Sequence, residues 1–212
     1  MNDTDIQTIQ NTVREIKQSF RLLMNGVTAQ SMRDKGLDYH INWGASLPHL
    51  RDMAAEYTPN YTLAQKLWKE NIRECKILAT MLMPKDQFHM DHAMLWAEET
   101  HTQEIAEIAV MNLYQHMPYA EKMALLLLSK PDNMAQIHGF SIMSRLFANG
   151  KIPDNPRDTN EFLDQALAAL SSNNIPVKHC AWNAISHFAE IDQSCHSATK
   201  NALKSVKMDD WL

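Results

Sequence analysis

What this chain lacks narrows its reading first. No run of about 18 apolar residues is present, so no helix is expected to span a membrane, and the start Met1-Asn2-Asp3-Thr4-Asp5 has neither the basic nor the apolar region of a signal peptide. A soluble, cytoplasmic protein is expected. Only three cysteines occur, Cys75, Cys180 and Cys195, an odd count without the paired spacing of a disulfide framework or a zinc site. They read as reduced thiols. No Gly-rich phosphate loop, Ser-centred elbow or Cys/His nucleophile arrangement is visible, which leaves nucleotide-dependent and hydrolase chemistry without support. Nor is there an excess of positive charge: the formal net charge is −5, which excludes a uniformly basic surface for nucleic acid. A local basic groove stays compatible with it. Glycine (5) and proline (8) are sparse and scattered, and no segment alternates with a period of two between turn signals, so a β-sheet is not expected.

What is there is helical spacing almost throughout. Ile6, Ile9, Val13, Ile16, Phe20 and Leu23 recur in steps of three and four, placing them on one stripe of a helix that ends near Asn25-Gly26. Ile72, Cys75, Leu78, Ala79 and Leu82 form a second stripe stopped by Pro84, and Val177 to Ile191 a third with Pro176 near its start. Breakers then mark helix pairs at about 60–83, 86–117, 119–148 and 158–191, with a last helix at about 193–207. The second helix of each pair is apolar on more of its circumference, as in Met134 to Met143, and is expected to form an inner layer. A recurring pair that cannot bury its apolar face alone is the mark of a HEAT-like stack. The expectation is an all-α superhelical stack of antiparallel helix pairs, one domain over 1–212, with a non-repetitive bundle as the alternative. The polar stretch 149–156 reads as an inter-repeat loop, and the ending as frayed or docked through Trp211.

Particular motifs sharpen this. Gly44, Pro48 and Arg51 form a Gly-x-x-x-Pro-x-x-Arg entry before the pairs, Leu67-Trp68 with Arg73-Glu74 and Ala79 a Leu-Trp-x4-Arg-Glu-x4-Ala segment, and Asp132-Asn133 and Ala184-Ile185 follow in order. From about residue 30 onward this resembles the AlkD-type DNA alkylation repair proteins, monofunctional glycosylases built of HEAT-like repeats. The resemblance implies a concave face that holds duplex DNA and releases alkylated purines carrying a cationic lesion. Such chemistry needs a carboxylate to stabilise the oxocarbenium-like sugar, electron-rich rings beside the cation, and Arg or Lys on the flanking phosphates.

Carried over residue by residue, the resemblance places the family's Trp-Asp-x-x-Asp segment on Gln103-Glu104-Ile105-Ala106-Glu107. The catalytic position is then Glu107, which keeps the charge and adds a methylene. Gln103 stands for an aromatic, His187 for a late-helix Trp, and His138 and Glu190 for phosphate-gripping arginines. A carboxylate at Glu190 repels a phosphate where a bidentate fork should hold it. Glu104 and Glu107, one turn apart, also read more plainly as a solvated acidic face.

The remaining signals have ordinary readings. His89, His92, His101 and His116 read as surface histidines, and neither they nor His179-Cys180 and Cys195-His196 make a metal set of diagnostic spacing; no metal or cofactor is expected. Trp68 and Trp182 read as core, while Trp43, in the turn-like Ile41-Asn42-Trp43-Gly44, is a candidate DNA contact with its role open. Lys200, Lys204 and Lys207, and the group Lys66, Lys69, Arg73 and Lys76, read as solvated faces. The expected function is that of a monomeric alkylation-repair relative with a degenerate excision site, whose face binds double-stranded DNA weakly through Arg51, Trp43, Gln103, His138, His187 and Glu190; the alternative is a non-enzymatic scaffold for a protein partner.

Overall fold

The computed structural model describes residues 3–208, so Trp211 lies outside the described residues. Within them every regular element is helical, and the only β feature is an isolated bridge between Ile41 and Ile72. No helix there is long and apolar enough to cross a membrane. The chain divides into two compact units, with the boundary between His89 and Met90.

The first unit holds α1 (Asp3–Ser19), α2 (Gly26–Asp34), α3 (Leu47–Ala55), α4 (Tyr61–Lys69) and α5 (Arg73–Leu82). The predicted stripe of α1 buries Val13 and Ile16, and Phe20 follows in a 3-10 turn. Asn25, Ser46 and Asn60 begin the next three helices, each accepting a backbone N–H from the first turn and so satisfying a donor that the helix cannot. The pair α4–α5 packs as the spacing predicts, with Leu67, Trp68, Cys75, Leu78 and Ala79 all buried.

The Arg-Glu step of the sequence motif turns out to be internal. Contrary to the solvated face expected for Lys66, Lys69, Arg73 and Lys76, Arg73 is 3% exposed and its partner Glu74 is fully buried. The guanidinium meets Glu74 at 3.1 Å and donates to the Ala45 carbonyl at 2.9 Å. Glu74 in turn accepts the backbone N–H groups of Trp43 and Ala45, each at 3.2 Å. A charge taken out of water survives only with such partners. The pair therefore clamps the 41–46 loop, and the Arg73 N–H to Ile41 carbonyl bond, 3.0 Å, closes the same clamp from the backbone. Gly44 sits in this loop at φ +70°, where a Cβ would lie 2.2 Å from the Asn25 carbonyl oxygen; only glycine fits. Lys76 is drawn over the Trp68 ring, 4.3 Å from its centroid, which leaves Lys66 and Lys69 as the exposed cations of the group.

The second unit holds α6 (Met90–Glu98), α7 (Gln103–Asn112), α8 (Ala120–Leu128), α9 (Asn133–Ala148), α10 (Pro156–Leu170), α11 (Ile175–Ala189) and α12 (Gln193–Lys204). Asp132, Asn155, Asn174 and Asp192 cap the last four of these through side-chain oxygens. Pro156 and Pro176 occupy first turns, where the missing N–H costs nothing. As expected from their wider apolar surface, the second helices form an inner layer: α9 packs on both α7 and α11, while α8 covers α9 and α10 covers α11. Gly139 permits the close approach of α8 to α9, since a Cβ there would lie 2.7 Å from Leu128 Cγ and 3.0 Å from the Ala124 carbonyl oxygen. Phe147 joins the layers, its ring centroid 4.8 Å from that of Phe162 and 5.0 Å from that of Phe188. Trp182, expected in the core, is only half-buried.

Candidate functional site

Several polar side chains of the inner helices in the second unit face one space. A cleft of about 290 Å³ is lined by Glu107 and Val110 from α7, Ser141, Ser144 and Arg145 from α9, and Cys180, Asn183 and His187 from α11. On each helix these positions follow steps of three and four, so one stripe per helix faces the same space.

Glu107 is exposed at this cleft, and the Gln103 amide, one turn earlier, donates to its Oε1 at 2.7 Å. The same Gln103 nitrogen lies 4.0 Å from Cys180 Sγ, and Ser141 donates to that sulfur at 3.8 Å. Burial pushes the Cys180 thiol up to about 11, the Ser141 hydrogen bond opposing and the Glu107 charge adding to it. A thiol so held is not a nucleophile at neutral pH. Ser144 Oγ stands 2.8 Å from His187 Nδ1, which fixes the half-buried imidazole against α9 and leaves Nε2 as its other polar atom.

Of the residues singled out from sequence, Gln103, Glu107 and His187 are thus brought together. His138 is not. Expected to meet phosphate, it is fully buried, and its ring lies 6.0 Å from that of Tyr114. Its Nδ1–H donates to the Met134 carbonyl at 2.8 Å, and Nε2 has no hydrogen-bond partner among the described residues. Burial lowers its pKa to about 4, the Met134 bond and the Asp132 charge opposing only in part. A neutral, enclosed imidazole cannot grip DNA. Glu190 is exposed at the C-terminal end of α11 and is not part of the cleft lining. Arg51 is exposed on α3 and Trp43 half-buried in the clamped loop, both in the first unit.

Sequence reasoning missed Arg145, Ser144 and Asn183. Arg145 is exposed, and among the described residues it forms no ion pair. A partial signal was available: Arg145 is the one charged side chain on a largely apolar inner helix, and a lone guanidinium there needs access to solvent. No group of three or more His, Cys, Asp or Glu side chains is gathered to hold a metal among the described residues.

A solved structure from a family of proteins related to the HEAT-like repeat DNA glycosylases, with affinity for branched DNA structures, superimposes with a TM-score of 0.79 at 14% identity. The match covers 91% of this chain and 82% of that one, which makes the fold HEAT-like. No curated protein sequence matches the chain. The family model described as DNA alkylation repair enzyme matches residues 16–173. That span begins inside α1 and ends just beyond α10, too long for a few shared helix pairs to account for it, and on that ground the chain belongs to the DNA alkylation repair enzyme family.

Proposed function

We propose that this chain is a DNA-binding member of the alkylation repair family that has lost efficient base excision and prefers branched or deformed DNA to an alkylated base in regular duplex. The observation that carries the reading is the 2.7 Å bond from Gln103 to Glu107. Where an aromatic face should lie beside a cationic sugar, an amide instead occupies the carboxylate, and no Trp, Tyr or Phe ring lines the cleft. Electrostatic preorganisation tolerates little displacement, because the charge must already point at the position where the cation develops. Retained affinity is supported by the structural relative, whose family binds branched DNA structures.

The test pairs two measurements on the intact chain. Release of 3-methyladenine and 7-methylguanine from alkylated duplex is expected to match the protein-free rate. Binding at low salt is expected to be tighter to a four-way DNA junction than to linear duplex of equal length. Robust base release that Glu107→Gln abolishes would overturn the loss of excision, and equal or absent binding to both DNAs would overturn the preference.

A second reading has its own observation. Residues 90–212 hold 9 Lys and Arg against 15 Asp and Glu, a net charge of −6, which suits a basic protein partner better than a polyanion. Absence of DNA binding in the experiment above favours this scaffold reading.

A further inference from the structure

We infer that Arg145 is the residue that grips DNA phosphate in the cleft of the second unit, a task moved two helical turns along α9 from His138. The inference rests on the DNA-binding reading above and names the contact through which binding occurs. Seven residues separate the two positions, close to two turns of 3.6 residues, so they share nearly the same side of α9 and differ by about 10 Å along its axis. His138 is enclosed and neutral at its end of that line. Arg145 is exposed at the other end, beside Ser144, Asn183 and His187.

Three features suit this guanidinium to an anion. It is unspent, with no ion-pair partner among the described residues, whereas Lys130 pairs with Glu98 at 2.8 Å and Lys17 with Glu70 at 2.7 Å. It stands in a concave site, where low-dielectric walls strengthen a charge-assisted hydrogen bond relative to one on an open surface. Finally, its neighbours can complete the shell of a phosphate: the Asn183 amide donates, and the Ser144–His187 pair, 2.8 Å apart, presents an imidazole whose orientation is fixed before any ligand arrives. Glu107 across the cleft opposes a second anion, which limits the site to one phosphate group and suits a backbone passing over the cleft rather than a nucleotide polyphosphate lodged within it.

The experiment measures anisotropy of a fluorescein-labelled four-way DNA junction against the intact protein, its Arg145→Gln and Arg145→Lys variants, and Lys130→Gln as the control, between about 50 and about 200 mM KCl. Arg145→Gln is expected to weaken binding about tenfold at the lowest salt and to flatten the slope of log affinity against log salt by roughly one, the mark of one lost phosphate contact. Arg145→Lys is expected to keep the slope while losing part of the affinity, since it retains the charge without the planar fork. Lys130→Gln is expected to bind with the slope of the unmodified protein. Melting temperatures of all variants are expected to agree, because both side chains are exposed. An unchanged slope and affinity in Arg145→Gln, with the unmodified protein binding the junction, would overturn this assignment alone. Failure of the unmodified protein to bind would overturn it together with the DNA-binding reading.

Discussion

The α4–α5 pair and the α7–α9–α11 face spend their polar side chains in opposite ways. In the first, Arg73 and Glu74 are buried and fully engaged, holding a loop to a helix start through four hydrogen bonds within the chain. In the second, Glu107, Arg145 and Asn183 are exposed and turned to a cleft. Charge divides the same way: residues 1–89 hold 11 Lys and Arg against 10 Asp and Glu, net +1, while residues 90–212 come to −6. The sequence signals that carry the family likeness most clearly are therefore folding signals. Gly44, Arg73 and Glu74 clamp a loop that passes through φ +70° and Trp68 fills a core, demands independent of what the protein binds. Of the positions that the family likeness assigns to DNA, Gln103, Glu107 and His187 lie at or beside a cleft instead, where packing makes no comparable demand.

The contrast is broken most directly at the clamp. Glu74→Ala leaves the Arg73 guanidinium buried without its counter-charge and two loop N–H groups without an acceptor, a change expected to cost about 3–5 kcal/mol. Urea unfolding followed by circular dichroism measures it, and a loss below about 1 kcal/mol would mean that the clamp is no more than surface decoration. Gly44→Ala strains the same loop from the backbone side, through a positive φ and a Cβ driven into the Asn25 carbonyl, and is expected to cost about 3 kcal/mol by the same measurement.

His138 sharpens the comparison, because it is the one buried titratable group at a position that the family likeness assigns to DNA. Its folded pKa, about 4, lies below the ordinary 6.5. The unfolded chain thus binds the extra proton between these values, and stability supplied by the neutral ring is fully present above about pH 6.5 and is lost as pH falls toward about 4. The full effect is of the order of 3 kcal/mol. His138→Phe is expected to remove this part of the pH dependence, measured as the difference in urea stability between pH 7 and pH 4.5. The Tyr114 ring beside it does not reproduce this, because burial raises the pKa of its hydroxyl well above the window. A phosphate-gripping histidine would show the opposite behaviour: its substitution would abolish DNA binding and leave the pH dependence of folding unchanged.

Helix pairs were legible because a 3.6-residue stripe and an N-cap are local facts. Residues 60–83 contain α4 and α5, 119–148 contain α8 and α9, and 158–191 overlap α10 and α11, with Asn60, Asp132 and Asn174 marking starts in plain view. The nine-residue α2 and α3 went unseen, since one and two buried residues respectively leave no stripe to find. The site was legible only in part, for a related reason. On α9, Ile137, His138, Gly139 and Phe140 are all buried, so no azimuth of that helix looks polar enough to tell an enclosed histidine from an exposed one. Where four consecutive residues face protein on every side, alignment to a family position carries identity without environment. Arg145 escaped for the converse reason, having no family position to recommend it, although its environment is the one a ligand can reach.

The smallest effect is expected at Glu190, which tests whether the acidic character of the second unit limits DNA binding or merely accompanies it. The carboxylate is exposed at the end of α11 and lies outside the cleft lining, so water and salt screen it and its repulsion of a nearby phosphate is worth well under 1 kcal/mol in physiological salt. Glu190→Gln should then tighten junction binding by roughly twofold at low salt and imperceptibly at about 200 mM KCl. Glu190→Arg should tighten it further and steepen the salt slope by at most one, if the new guanidinium reaches the backbone. A steeper slope in Glu190→Arg that is lost when Arg145→Gln is added would place both side chains on one DNA path, since residues gripping the same backbone are coupled. Simple addition of the two effects would instead mean that each meets phosphate on its own, and that the negative charge of this unit sets the strength of binding without setting its route.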